Sequence, residues 1–210
     1  MFKTIMIGTI IFACASIAAA QSDYKKFELF GGYSHNRIDT GIGDDDPDLS
    51  DIVNEREGFN GFEVSATGNL TRYFGIKGDF SGHFKSRTFS VPTFPGASVD
   101  LESRLFNFLG GVQIKDNSRE GRFKPFAHAL VGVAHARNRV DINNLVCTGP
   151  CPVDDTTLSE TGFAGAFGGG IDIRASDRIS IRAIQIDYNP TRLFDSTQHN
   201  FRFGVGIVFH

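Results

Sequence analysis

Charged side chains recur at every second position inside otherwise apolar segments of this 210-residue chain, and they are the residues best placed to do chemistry. If enclosed together, acids and cations could line a narrow pore or a proton path. They could also pair with one another into a closed salt-bridge plug, because an unpaired buried ion costs several kcal/mol. We favour the plug. The residues predicted to form this polar network are Glu28, Glu63, Lys77, Asp79, Asp172, Arg174, Asp187 and Arg202.

Such spacing requires β-strands, whose successive side chains point to opposite faces. In "YFGIKGDFSGHFKS", Phe74, Ile76 and Phe80 share one face, while Lys77 and Asp79 share the other. Segment five, "FKPFAHALVGVAHAR", is apolar on both faces, so its phase stays open. Alternation predicts eight strands, at 27–36, 58–70, 74–87, 102–115, 123–137, 162–174, 179–189 and 200–209.

The connections between these segments separate two architectures that alternation alone leaves open. An antiparallel soluble sandwich would bury its apolar faces in a dry core, whereas a membrane barrel would turn them to lipid. The gaps alternate between long and short, at about 21, 3, 14, 7, 24, 4 and 10 residues, as expected of a barrel with tight turns at one end. The chain is therefore predicted to be all-β, an eight-stranded antiparallel up-and-down transmembrane β-barrel.

The N-terminus resembles a secretory signal. Lys3 precedes an apolar run over 4–13, and Ala18-Ala19-Ala20 forms a small-residue cleavage site. We expect residues 1–20 to be the signal peptide and 21–210 the barrel domain of an outer-membrane protein. A retained membrane anchor and a lipoprotein lipidated at Cys14 are the alternatives. The net charge of −3 provides no basic footprint for nucleic acid.

The mature region resembles the OmpA/OmpX-like family of small outer-membrane β-barrels. The resemblance rests on "FELFGGYSH", "KPFAHALVGVAHA", "FAGAFGGGIDIRASDRISIRAIQIDY" and "NFRFGVGIVF", in a version similar to exported barrels of Acidobacteria-like bacteria. It covers the barrel domain only. The family includes structural anchors, adhesins, receptors and a few enzymes, so it implies the fold more firmly than the function.

Catalysis is not expected. Lipid A deacylases with a similar fold use a His followed two residues later by a Ser, and none of the six His residues begins such a motif. His128 and His135 are seven residues apart and face opposite sides of a strand, so they are not expected to share a metal. We predict a protein that is not an enzyme and has no cofactor or metal ion.

Two of the predicted outer loops carry distinctive residues. The acidic loop 39–57 could bind calcium, but it lacks an ordered cation-binding motif and Pro47 interrupts it, so a solvated loop is preferred. Cys147 and Cys151 in "CTGPC" are predicted to form a disulfide in an exported, oxidising setting. The loop that holds them is a possible recognition surface for an unknown ligand.

The last segment, "NFRFGVGIVFH", is expected to pair with the first and close the barrel. By resemblance to the family, Phe201, Phe203 and Phe209 form the signal that the barrel-assembly machinery reads, although His210 follows the terminal Phe. The expected partners are outer-membrane lipid and, during biogenesis, that machinery and periplasmic chaperones. The predicted role is envelope integrity or surface binding through the outer loops. A narrow diffusion channel is the alternative, and a lipid-modifying enzyme comes third.

Overall fold

The computed structural model describes residues 24–39, 56–90, 98–143, 156–193 and 196–210. Among these residues, no helix is long and apolar enough to cross a membrane. The described residues form eight strands: β1 (Phe27–Asp39), β2 (Arg56–Asn69), β3 (Phe74–Ser90), β4 (Ser98–Lys115), β5 (Phe123–Asn143), β6 (Thr156–Arg174), β7 (Ile179–Leu193) and β8 (Ser196–Phe209).

The eight strands form one closed barrel in sequence order, and every neighbouring pair is antiparallel. β8 closes the barrel against β1, in a register that runs from Leu29 opposite Phe209 to Arg37 opposite Phe201. Closure pairs the backbone groups that an open sheet would leave at its edges. The predicted fold class is confirmed.

The strand boundaries agree with the sequence at one end of the barrel and differ at the other. At the end with short turns, every predicted boundary lies within one residue of the observed one. At the long-loop end the strands extend two to six residues further than predicted, because their ladders continue where the apolar alternation stops. As a result β7 and β8 are joined by residues 194–195 alone, and the predicted alternation of loop length fails at this connection.

The outer surface is apolar and the inner surface is largely polar. Outward side chains such as Phe123 and Ile76 are 66% and 55% exposed, whereas the inward Lys77 is 1% exposed. The structure also decides the phase of β5, which the sequence left open. Leu130 faces inward and is fully buried, and the neighbouring Val131 faces outward.

The short turns are held by local hydrogen bonds. In the β2–β3 turn, Thr71 Oγ1 accepts hydrogen bonds from the backbone N–H groups of Tyr73 and Phe74. Arg72 in the same turn forms a two-pronged ion pair with Asp116 of the β4–β5 turn, at 2.9 and 3.1 Å. Neighbouring turns are thereby fixed to each other at the short-turn end.

β7 contains an irregularity that changes which residues face the lumen. Its pairing with β8 shifts register between Arg182 and Gln185. Asp187 and Gln185 face the lumen, so strict alternation would turn Arg182 outward. Because of the bulge, Ala183 and Ile184 both face outward and Arg182 is buried in the lumen.

Candidate functional site

The centre of the lumen holds five fully or almost fully buried ionic side chains, Glu63, Lys77, Asp79, Asp187 and Arg202, which we call the central cluster. Arg202 of β8 donates from Nη1 to Asp79 Oδ1 at 2.7 Å and from Nη2 to Asp187 Oδ2 at 2.8 Å. Lys77 Nζ lies 3.7 Å from a carboxylate oxygen of both Glu63 and Asp79. The guanidinium therefore bridges opposite parts of the barrel wall.

Two further side chains join the central cluster. Gln185 donates from Nε2 to Glu63 Oε1 at 2.9 Å and to Asp187 Oδ2 at 2.7 Å. His128 lies between Lys77 and Asp187, with its Nδ1 3.3 Å from Lys77 Nζ and its Nε2 2.8 Å from Asp187 Oδ1. Gln185 and His128 thereby connect the acids and cations of the central cluster into one network.

Nearer the short-turn end lies a second group of buried ions, Glu28, Lys115, Asp172 and Arg182, which we call the basal cluster. Lys115 Nζ is 2.9 Å from Glu28 Oε2 and 2.7 Å from Asp172 Oδ2. Arg182 pairs with Asp172 at 2.9 Å and donates to Gln185 Oε1 at 2.7 Å, which links the two clusters.

The Arg182 guanidinium is also enclosed by aromatic rings. It lies 4.2 Å from the ring centroid of Phe30 and 4.1 Å from that of Phe126. Cation–π contacts of this kind strengthen when they are desolvated. The two Phe side chains therefore cover the parts of the cation that Asp172 and Gln185 do not reach.

With His128, the two clusters draw on all eight strands, which explains how chemistry spread along the whole sequence meets in one place. Four cations face five carboxylates, and the ions lie within hydrogen-bonding or ion-pair distance of one another. In a low-dielectric interior such pairing offsets the desolvation of each ion. Chemically, the arrangement holds fixed charges of both signs against one another across the lumen.

Seven of the eight predicted network residues lie in the two clusters, and Arg174 does not. It ends β6 at the short-turn rim, where it pairs with Asp177 at 2.6 Å and donates to the Arg119 carbonyl. The structure adds three residues to the predicted network. They are Lys115, which lies on the polar face of β4, Arg182 and His128. The inward position of Arg182 could not be predicted from the sequence, because the β7 bulge breaks the alternation. That of His128 could not be predicted because β5 is apolar on both faces.

Beyond the central cluster, towards the long-loop end, the inner side of β4, β5 and β6 becomes apolar, while buried polar side chains such as Asn36, His83 and Asn189 line the rest of the lumen. A layer of buried Leu and Ala side chains, which includes Leu109, Leu130 and Ala164, lies against β4, β5 and β6. Above this layer a cavity of about 700 Å³ opens between the ends of the strands. We call it the vestibule. The buried residues among those that line it are Ile38, Phe59, Leu105, Ala136 and Leu193.

Charged residues stand at the wall of the vestibule. Glu57 pairs with Arg87 and, at 3.4 Å, with Lys85. The Lys85 ammonium also lies 5.5 Å from the ring centroid of Phe59. The vestibule therefore combines an apolar floor with charges of both signs near its opening, which suits an amphipathic ligand.

At the short-turn rim, outside the membrane-spanning strands, burial lowers the pKa values of two groups. His210 donates its backbone N–H to the Arg178 carbonyl at 2.9 Å, and its Nε2 lies 3.0 Å from Ser180 Oγ. Burial, with the nearby cation Lys25, lowers the pKa of His210 to about 4. Burial and neighbouring cations lower the pKa of Lys25 itself to about 8.

The remaining predicted residues lie on the outer surface or outside the described ranges. Phe201, Phe203 and Phe209 of β8 point outward, with Phe209 49% exposed. Cys147 and Cys151, residues 1–20 and most of the acidic loop 39–57 lie outside the described residues.

A closed eight-stranded barrel with an apolar exterior and a filled, charged interior is the architecture of bacterial outer-membrane barrel proteins. The chain belongs to the family described as outer membrane protein beta-barrel domain, whose model matches residues 7–209. The protein is accordingly an integral β-barrel of the bacterial outer membrane. Short turns of such barrels lie on the periplasmic side, so the long-loop end and the vestibule face outward.

Solved barrels share the fold at low sequence identity. Ail, the attachment invasion locus protein of Yersinia pestis, solved with the heparin analogue sucrose octasulfate, is 16% identical with a TM-score of 0.54, over 88% of this chain and 98% of that one. Neisserial surface protein A is 11% identical with a TM-score of 0.51, over 90% and 97% of the two chains. A search of curated proteins finds no significant match.

Proposed function

We propose that this protein is a non-conducting outer-membrane barrel that acts at the cell surface, with a structural or ligand-binding role, and that it is not an enzyme. The observation that carries the proposal is the central cluster. The side chains of Arg202, Glu63, Lys77, Asp79 and Asp187 show 0% exposure, so these ions are closed off from bulk solvent.

Conduction would require a continuous aqueous path, and two barriers oppose one. An eight-stranded barrel is only wide enough for side chains to fill. Here the two clusters fill the periplasmic half, and Leu109 and Leu130 add bulky apolar side chains on one side of the lumen further out. Opening a path would break several buried ion pairs together, which favours the plug over a narrow diffusion channel.

The outer end supports a surface-facing role. The vestibule is open, apolar at its floor and charged near its opening, and three of the four outer connections span 40–55, 91–97 and 144–155. Loops carried by a rigid barrel are the usual place for recognition. Ail was solved with a heparin analogue, so a sulfated polyanion is a reasonable first probe for this barrel too.

The biogenesis partners belong to the same proposal. We expect periplasmic chaperones and the barrel-assembly machinery to handle the chain, and Phe201, Phe203 and Phe209 to form part of the assembly signal. The three rings lie on the outward side of β8, the strand that closes against β1, where they support such a role.

Planar-bilayer recording of the refolded protein tests the proposal. A large porin measured in the same bilayers is the positive control, and liposome swelling with small sugars is the second measurement. We expect no stable current steps and no swelling above protein-free liposomes. Large, stable openings from a preparation that shows complete heat-modifiable folding would overturn the plug and establish the narrow diffusion channel.

A further inference from the structure

Two arginines stand directly opposite each other on the outer face of the barrel. Arg104 of β4 is paired in register with Arg137 of β5, and both side chains are exposed and point away from the lumen. Like charges directly opposite in a sheet destabilise it. An anion that binds both guanidinium groups would remove this repulsion.

The nearby carboxylates neutralise only part of this positive charge. Arg104 donates from Nη2 to Glu102 Oε2 at 3.1 Å, and Arg139 donates from Nε to Asp141 Oδ1 at 2.7 Å. Arg137 forms no ion pair or side-chain hydrogen bond with the part of the chain that the structure describes. The concavity between these strands has a volume of about 110 Å³ and is lined by Glu102, Arg104, Arg137 and Arg139.

The depth of Arg104 and Arg137 in the bilayer indicates which kind of anion they can meet. Phe106 and His135 form the next outward pair towards the periplasm. Arg104 lies two residues beyond Phe106, a distance of about 7 Å along the strand. At a strand tilt of about 40°, this corresponds to about 5 Å along the membrane normal. The headgroup region of a bilayer is roughly 5–8 Å thick on each side, so the guanidinium groups lie at the level of lipid headgroups.

Below the arginines lies an aromatic surface for acyl chains. Phe80 contacts Phe62, Phe106 and Phe108, with ring centroids 5.6, 6.2 and 4.7 Å apart. Phe84, which lies opposite Arg104 in register, contacts the Phe106 ring at 5.6 Å. The cation pair and this lipid-facing patch are continuous, as a ligand with a charged head and apolar chains requires.

We propose that Arg104 and Arg137 bind the phosphate group of a phosphorylated lipid in the outer leaflet, whose acyl chains lie over the Phe patch. Guanidinium groups recognise phosphate through paired, charge-assisted hydrogen bonds. The site lies on the outer wall of the barrel, away from the filled lumen, and Arg104 also lines the edge of the vestibule.

Native mass spectrometry of the folded protein in zwitterionic detergent, titrated with purified bisphosphorylated lipid A, tests the proposal. We expect wild type to retain lipid A and the double variant Arg104→Gln/Arg137→Gln to bind it about tenfold more weakly or worse. The matched control is Arg192→Gln, which removes an exposed outward arginine near the same end of β7 and should leave binding unchanged. Heat-modifiable mobility checks that each variant is folded.

Two further arms identify the ligand. Lipid A stripped of its phosphates should bind wild type as weakly as intact lipid A binds the double variant. Millimolar inorganic phosphate should not displace intact lipid A, because it lacks the acyl chains. Equal binding of intact lipid A by wild type and the double variant, an equal loss in Arg192→Gln, or undiminished binding of the phosphate-free lipid would each overturn the proposal.

Discussion

Arg202 and Asp79 lie 123 residues apart in the sequence, yet Arg202 Nη1 donates to Asp79 Oδ1 at 2.7 Å at the centre of the barrel. β8 and β3 are not neighbours in the wall, so this bond crosses the lumen. It fixes opposite walls to each other, which makes the interior a structural element as well as a barrier.

Removal of the Arg202 charge should destabilise the barrel strongly. In Arg202→Met, Asp79 and Asp187 lose their shared guanidinium and remain buried, and the free energy of unfolding should fall by about 3–5 kcal/mol. Urea unfolding in detergent micelles, followed by the electrophoretic mobility shift, measures the change. The exposed Arg192→Met serves as control and should unfold near the wild-type midpoint. An unchanged midpoint in Arg202→Met would show that the central cluster contributes little to stability.

Adjacent positions on β5 should respond differently to truncation. Leu130 is fully buried in the apolar layer, so Leu130→Ala should cost about 2–5 kcal/mol through lost contacts and a cavity. Val131 is 50% exposed on the outer surface, where lipid fills any space left, so Val131→Ala should cost about 1 kcal/mol or less. The same unfolding assay compares the two variants. Equal losses, or a larger loss at Val131, would contradict the observed phase of the strand.

His210 should make the barrel sensitive to mild acid. Its pKa in the folded protein is lowered from 6.5 to about 4, so the unfolded chain binds the proton first as the pH falls. The contribution of neutral His210 to stability is therefore complete above pH 6.5 and is lost as the pH falls towards 4. We expect the thermal midpoint of wild type to decline more steeply over this range than that of His210→Asn. Parallel curves for the two proteins would rule out His210 as the titrating group.

Loss of the terminal aromatic ring should impair assembly more than folding. Phe209→Ala leaves the β1–β8 backbone ladder intact but removes the outward ring that we propose the assembly machinery reads. We expect less protein in the outer-membrane fraction and more unfolded protein in the periplasm, measured by fractionation and heat-modifiability. Phe123→Ala removes a comparable lipid-facing ring near the same end of β5 and should assemble normally. Similar defects in both variants would point to lost lipid contact instead.

The sequence by itself determined the strands and their membrane-facing surfaces. Period-2 alternation depends only on backbone geometry, so Phe74, Ile76 and Phe80 could be placed outside, and Lys77 and Asp79 inside, before any contact was known. The periplasmic ends of the strands were also predictable, because the apolar pattern stops there at tight turns. The outer ends were not, since hydrogen-bonded ladders continue into water with no apolar pattern to mark them.

Only the tertiary structure decided which charged side chains lie in contact with one another. The bulge in β7 reverses the facing of Arg182 because one extra residue breaks the alternation, and the phase of β5 places His128 between Lys77 and Asp187. The register of neighbouring strands sets Arg104 opposite Arg137, although 33 residues separate them in the chain. Such pairings depend on the shear and closure of the whole barrel, which bring distant residues together in a way that no local pattern encodes.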